Sequence, residues 1–193
     1  MGVQEERLAQ LEARVEALQR SNYKLRQEIQ TTKARIEDLD QYIRRENIEI
    51  LNIPDTIDQA VLEKFVINIG ERLGVYFSSY DISACHRLCK RKGDRYAPVI
   101  VRFTNRKFVQ DLMDGRHLLP IRTQFYWGKI TFRENLVPGR RRVLCELEQL
   151  RKNGLIEHCG SWNGLPHFTV DGKRFKANST KQLAKIINTI APD

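Results

Sequence analysis

The chain has 193 residues, with 33 Lys and Arg against 24 Asp and Glu, a net charge of +9 and a pI of about 9.6. Its N-terminus is polar and no apolar run approaches the ~18 residues of a membrane span, so neither a signal peptide nor a transmembrane helix is expected, and an intracellular protein is. Cys85, Cys89, Cys145 and Cys159 are too few and too irregularly spaced for a secreted disulfide framework.

The charge is unevenly placed. Lys and Arg against Asp and Glu number 7 and 8 over residues 1–43, 4 and 6 over 44–80, and 22 and 10 over 81–193. A basic second half behind a near-neutral first quarter is the footprint of a polyanion binder, and nucleic acid is the commonest polyanion.

Residues 1–45 read as a coiled-coil oligomerisation stalk. The a positions are Leu8, Val15, Asn22, Ile29, Ile36 and Ile43 and the d positions Leu11, Leu18, Leu25, Thr32 and Leu39; within this stretch Gly is absent after Gly2, and no Pro occurs before Pro54. A seam this narrow, sustained over five heptads, joins copies of the chain rather than packing on the chain's own domain. β-Branched a positions, Leu at d and one buried Asn22 favour a parallel dimer. Arg7-Leu8-Ala9-Gln10-Leu11-Glu12 instead matches the Arg-h-x-x-h-Glu pattern of three-stranded coils, and Arg35 to Asp40 comes close to it.

Asn47 to Ile53 alternates with period two and stops at Pro54-Asp55, a strand and its exit turn. A helix follows from Gln59 to Leu73, ended by Gly74, then a strand from Ile82 to Leu88 and a basic loop from Lys90 to Tyr96. A third strand spans Pro98 to Phe103, a helix Asn105 to Asp114 closed by Gly115, and a fourth strand Lys129 to Phe132. Strand, helix, strand, strand, helix, strand is the split βαβ plan of a ferredoxin-like domain, shared by RNA recognition motifs and by many unrelated proteins. Residues 46–133 form this domain. Its first and third strands lack the stacking aromatics of an ordinary RNA recognition motif, so base stacking across the sheet is not expected and the motif is atypical. Phe125, Tyr126 and Trp127 read as core, with base stacking by one of them as the alternative.

Residues 134–193 form a small α+β domain of helix, hairpin and helix. Pro138 opens a helix that Asn153-Gly154 stops; Leu165 to Val170 and Lys173 to Ala177 form a hairpin around Asp171-Gly172; Asn178 or Ser179 caps the last helix. The fold class is therefore α+β, with a parallel coiled coil ahead of a ferredoxin-like domain and a small C-terminal domain.

Phosphates call for Lys or Arg without base-specific geometry. Arg87, Lys90, Arg91, Lys92 and Arg95 form a mobile basic loop suited to them, as does the triplet Arg140, Arg141 and Arg142 at a helix start. Cys85-His86-x-x-Cys89 with His158-Cys159 could be imagined as zinc ligands. Cys85 and Cys89 are four apart in one strand, however, and no second ligand pair has finger spacing, so half-buried thiols are expected, with no metal and no cofactor. Gly-rich phosphate loops, H-E-x-x-H, G-x-S-x-G and two-metal acidic clusters are all missing, which argues against an enzyme.

Tyr42 to Pro54, His86-Arg87-Leu88, Pro98 to Phe103, and Arg133-Glu134-Asn135-Leu136 ahead of Arg140-Arg141-Arg142 resemble, in that order, the RNA-binding protein encoded by the first open reading frame of LINE-type retrotransposons. The C-terminal part also resembles the baculovirus few-polyhedra (FP) protein. The first resemblance implies a homotrimer, with the dimer as alternative, that coats single-stranded RNA and DNA. It also implies a nucleic-acid chaperone that forms a ribonucleoprotein particle with the element's transcript, in the cytoplasm and also in the nucleus. Its strand lies in a basic cleft between the two globular domains, and its basic positions fall on or near Arg44, Arg45, Arg102, Arg116 and Arg140 to Arg142; Arg133, ahead of that triplet, is a further candidate nucleic-acid-binding residue. The second implies a coiled-coil adaptor that assembles with protein partners. The chain departs from the first family in beginning almost at the coil, without the long basic N-terminal segment of many members.

Overall fold

The structure, a computed structural model, describes residues 2–90, 93–119 and 130–190. It is α+β, a long N-terminal helix followed by antiparallel sheets, and it divides into two compact units between Asp40 and Gln41. Helix α1, Gly2–Ile43, is unbroken, as a stretch free of Pro and internal Gly allows. Leu8, Leu11, Val15, Leu18, Leu25, Ile29, Ile36, Leu39 and Ile43 stand 50–64% exposed on it. An apolar row this long on a single helix is compatible with a coiled coil. Arg20 pairs with Glu16 at 2.8 Å one turn away, and Arg26 donates to Asn22 Oδ1 at 3.2 Å.

In the second unit, β1 (Asn47–Leu51), α2 (Gln59–Leu73), β2 (Ile82–Arg87), β3 (Val99–Phe103), α3 (Arg106–Gly115) and β4 (Thr131–Glu134) build an antiparallel sheet of order β2-β3-β1-β4. Ile48 pairs with Val101 and Glu134, and Ile50 with Val99 and Phe132. These apolar positions face α2 through Leu62, Val66 and Ile69 and α3 through Val109 and Leu112, forming the larger core. Asp58 starts α2, its carboxylate accepting from Gln59 N at 2.6 Å, and Gly74 ends it at φ +82°. Gly70 lets the Phe77 ring lie against α2; a Cβ there would stand 2.7 Å from Phe77 Cζ and 2.8 Å from the Val75 oxygen.

Several strand ends differ from expectation. The first strand stops at Leu51, because Asn52 takes φ +66°, and the fourth begins at Thr131 and runs to Glu134. The expected start at Lys129 lies outside the described residues, as do Phe125, Tyr126 and Trp127. Gly115 does not close α3; it is its last residue, at φ −75° in the right-handed region, and a short 3-10 turn, Arg116–Leu118, follows. Strand β2 ends at Arg87, so Cys89 lies beyond it and does not share a pleated face with Cys85.

The C-terminal part is larger by one strand than helix, hairpin, helix. After α4 (Pro138–Lys152) come β5 (His158–Trp162), β6 (Leu165–Val170) and β7 (Lys173–Lys176), an antiparallel meander, then α5 (Thr180–Ile190). Both connections are two-residue turns with consecutive positive φ: Asn163 (+52°) and Gly164 (+75°), then Asp171 (+49°) and Gly172 (+72°). Val143 and Leu147 of α4, Phe168 of β6 and Leu183 of α5 make the second core. Ser179 Oγ accepts from Gln182 N at 3.3 Å, and Gln182 Oε1 accepts from Asn178 N at 2.9 Å, a reciprocal cap for α5.

Candidate functional site

The junction between the two sheets is tied by polar groups brought together from distant points of the chain. Gln41 is 2% exposed; its Nε2 donates to the Asn135 oxygen at 3.1 Å and its Oε1 accepts from Val137 N at 2.9 Å. The β5–β6 turn is held at both ends of one residue: Gly164 N donates to both Glu134 oxygens at 3.2 Å, and Gly164 O accepts from Arg140 Nη1 at 2.9 Å. A Cβ on Gly164 would lie 2.6 Å from Gln41 Cγ, so the close approach itself requires glycine.

A hollow of about 270 Å³ opens at this junction, walled by the β5–β6 turn, the start of β1 and the first turns of α3. Its cations are Arg44, Arg45, Arg106 and Lys107. Its one carboxylate, Glu134, already faces Gly164 N. A second hollow of about 220 Å³ shares Arg45, Asn105 and Arg106 and adds Tyr42 and a further carboxylate, Glu46, so the two adjoin as one groove. Arg45 lies over the Tyr42 ring at 5.2 Å, and its Nε and the nearby Asn47 Oδ1 are buried without hydrogen-bond partners. Trp162, 48% exposed, stands at the C-terminal wall.

The start of α3 carries an electrostatic conflict. Asn105 Oδ1 accepts from Lys107 N at 2.9 Å, as an N-cap should. The first turn then holds Arg106 and Lys107, both exposed, and no acid. Cations at the positive end of a helix are unfavourable by a few tenths of a kcal/mol or more each, unless an anion comes to lie there. With Arg45 across the groove, that end of α3 is electropositive and carries no acid of its own.

The residues singled out in the sequence divide into two groups. Arg44 and Arg45 line the groove, Arg44 Nη1 also donating to Asn135 Oδ1 at 3.2 Å. Arg102 is half exposed beside Glu46 at 3.3 Å, and Arg142 is exposed on α4. Lys90 and Arg95 are exposed on the β2–β3 connection, Arg95 over Tyr96 at 5.2 Å; Arg91 and Lys92 lie outside the described residues. Arg116 is exposed past the far end of α3, about 15 Å along the helix from Arg106.

Four arginines are engaged within the fold instead. Arg87 is not in a mobile loop: it closes β2, and its guanidinium donates to the carbonyls of Ile53, Pro54, Ile57 and Ala97 at 2.5–3.2 Å. Arg140 is 6% exposed and holds Gly164. Arg133 and Arg141 converge on Glu49, which is 1% exposed on the sheet face away from the larger core. Arg133 Nε donates to Glu49 Oε2 at 2.8 Å, and Arg141 Nη2 to Oε1 at 2.5 Å. That sheet face carries Glu49, Arg133, Ile100 and His86 across one row of paired strands, with no Phe, Tyr or Trp among them.

Arg106, Lys107 and Trp162 are candidates that the reading of the sequence misses. Their signals are present in it: two cations directly after an N-cap Asn105, and Asn163-Gly164 as a hairpin turn that places Trp162 at a strand end.

Burial pushes the Cys85 thiol up to about 11, helped by the Glu63 charge and opposed by Arg87. Cys159, on the inner side of the C-terminal sheet, is also raised by burial. Among the described residues no group of three or more His, Cys, Asp and Glu could hold a metal ion, and no helix is long and apolar enough to cross a membrane. Neither a protein-family model nor a curated protein matches this sequence.

Proposed function

We propose that this chain is an oligomeric single-stranded nucleic-acid-binding protein, of the kind that coats and chaperones a retroelement-type transcript in a ribonucleoprotein particle. On this reading α1 joins copies through its exposed heptad seam as a parallel coiled coil, three-stranded by preference. Residues 46–133 are an atypical RNA recognition motif with βαββαβ order. The groove between the two sheets is the site where the strand lies.

The observation that carries the reading is the set of four cations against two engaged carboxylates, Glu134 on Gly164 N and Glu46 beside Arg102, with Trp162 at the wall, in a groove open to solvent. Phosphates would lie on Arg45, Arg106 and Lys107, and a base would stack on Trp162 or Tyr42. None of these groups reads base edges in a fixed pattern, so binding should be indifferent to sequence. Several heads on one stalk would raise the apparent affinity for a long strand by ~10²-fold or more when they engage together.

The test is fluorescence anisotropy of the full chain on labelled single-stranded RNA and on matched duplex across a salt series, beside a variant with Arg45, Arg106 and Lys107 changed to Ala. Single-strand binding should fall steeply with salt. The variant's slope of log affinity against log salt should be flatter by about 2, roughly 0.7 for each phosphate no longer neutralised. Absent or salt-independent binding would overturn the reading and favour the adaptor alternative.

A further inference from the structure

The C-terminal sheet has two faces, and the second core uses one of them. Phe168 and its neighbours on that side pack against α4 and α5. The other side follows from the strand register, because residues directly opposite in antiparallel strands project to the same face. One row is Gly160, His167 and Lys176; the next is His158, Thr169 and Arg174; a third, at the β5–β6 turn, is Trp162 and Leu165. Successive rows are about 6.6 Å apart.

This face carries two cations, two imidazoles and an indole, and no carboxylate stands in the three rows. Arg174, Lys176 and His158 are exposed, and Trp162 is 48% exposed. Gly160 leaves room for the imidazole opposite: a Cβ there would stand 3.4 Å from His167 Cε1 and 3.5 Å from Nε2. Burial, and after it the charge of Arg174, lower the His167 pKa below its usual 6.5, so the ring is neutral at physiological pH. A neutral flat ring flanked by cations offers a base a stacking surface and its phosphates a counter-charge.

Continuity supplies the remaining argument, since Trp162 belongs both to this face and to the wall of the groove. We propose that the outer face of the β5–β6–β7 sheet is a second binding surface for single-stranded nucleic acid, reached by a strand that leaves the groove past Trp162. Bases stack on Trp162 and His167, and phosphates lie on Arg174 and Lys176. The proposal rests on the nucleic-acid reading of the groove and extends it: each head then holds a longer stretch of strand than the groove alone.

The experiment compares the full chain with an Arg174→Glu, Lys176→Glu variant on labelled single strands of about 5 and about 15 nucleotides, lengths that bracket a single-module site. Both side chains are exposed, so thermal melting of the variant should match the parent. The short strand should bind both proteins within twofold. The long strand should bind the variant about tenfold more weakly, with a salt slope flatter by about 1.4, two phosphates at roughly 0.7 each. An unchanged gain with strand length in the variant overturns the second surface and leaves the groove reading standing. Equal weakening on both lengths also overturns it, because the cations would then act on the whole head rather than on the extra stretch. Failure of the parent to bind either strand would sink the groove reading, and this proposal with it.

Discussion

Glu49 joins three elements of the second unit. It belongs to β1, Arg133 to β4 and Arg141 to α4, so one carboxylate links the four-stranded sheet to the C-terminal part. Its side chain is 1% exposed, whereas those of Arg133 and Arg141 are 31% and 21% exposed. Arg133 Nη2 also stands 2.7 Å from Oε2 but is poorly aimed as a donor, so Nε carries that hydrogen bond. Changing Glu49 to Ala leaves two guanidinium groups in partly dehydrated positions without their carboxylate. Removing one partner of a buried pair costs ~3–5 kcal/mol, and the residual water around both arginines places this case near the lower figure, ~3 kcal/mol. That is more than a hundredfold in the folding equilibrium.

The measurement is urea unfolding followed by tryptophan fluorescence. Trp127 and Trp162 are the only tryptophans and α1 has none, so the signal reports the second unit. With a slope of about 2 kcal/mol per molar urea, Glu49→Ala should lower the midpoint by about 1.5 M. Replacing all three residues together, Glu49→Leu with Arg133→Met and Arg141→Met, should return the midpoint close to the parent, since apolar groups of similar volume avoid the dehydration cost of the charges. A shift below about 0.5 M for Glu49→Ala at unchanged slope, or a triple variant as unstable as the single one, would refute the reasoning.

Gly164→Ala should destabilise the second unit by several kcal/mol, because φ +75° strains any L side chain and the new methyl meets Gln41; a melting temperature within a few degrees of the parent would contradict this. Asn22→Ile should strengthen self-association against dilution and change the sedimentation mass, and an unchanged mass would show that Asn22 does not set the strand number. In a chain keeping Cys85 as its one cysteine, the iodoacetamide rate should keep rising about tenfold per pH unit through pH 9 and level off only near 11, where the thiol ionises; a plateau near 9 would mean that Cys85 is not buried as described. For His167 the folded-state pKa lies below the unfolded value, so its contribution to stability is present above about pH 6.5 and is lost as pH falls through the folded value. His167→Gln should therefore be less acid-sensitive than the parent in melts between pH 7 and 5, and equal sensitivity would refute the assignment.

Local signals carried most of the fold. Asn47-Ile48-Glu49-Ile50-Leu51 alternates, Gly74 ends α2 with positive φ, and Asp171-Gly172 turns between β6 and β7; each acts within a few residues and each element lies close to where its signal falls. Strand β5 leaves little trace in the sequence because His158-Cys159-Gly160-Ser161-Trp162 has no β-branched residue and little alternation, although Asn163-Gly164 marks its end. The arginines were the harder case. Arg141 and its carboxylate partner are 92 positions apart, and Arg87 is held by carbonyls some 30 residues upstream, so nothing near either arginine distinguishes a structural guanidinium from a phosphate ligand. The converse holds for Arg106 and Lys107, which become candidates through their place in the first turn of a helix that has no acid there.

This division of the arginines predicts how stability and binding should separate. Two of the groove's lining groups are already fixed without a ligand, Gln41 on Asn135 and Val137 and Gly164 between Glu134 and Arg140, while Glu49 between Arg133 and Arg141 ties the C-terminal part to the four-stranded sheet outside the groove. On the proposed nucleic-acid reading, a strand entering such a groove need not order these groups, so the cost of binding would fall on the nucleic acid. Changes at Arg140, Arg141 or Arg133 should weaken binding only in step with reduced stability, because they act through the shape of the groove. Changes at Arg45, Arg106 or Lys107 should weaken binding with the melting temperature almost unmoved. Relieving the charge conflict at the acid-free start of α3, as Lys107→Glu would, should raise stability slightly while binding falls. Opposite signs for stability and affinity at that one position would mark a charge held against its own helix for the sake of a ligand, which a merely solvated lysine would not show.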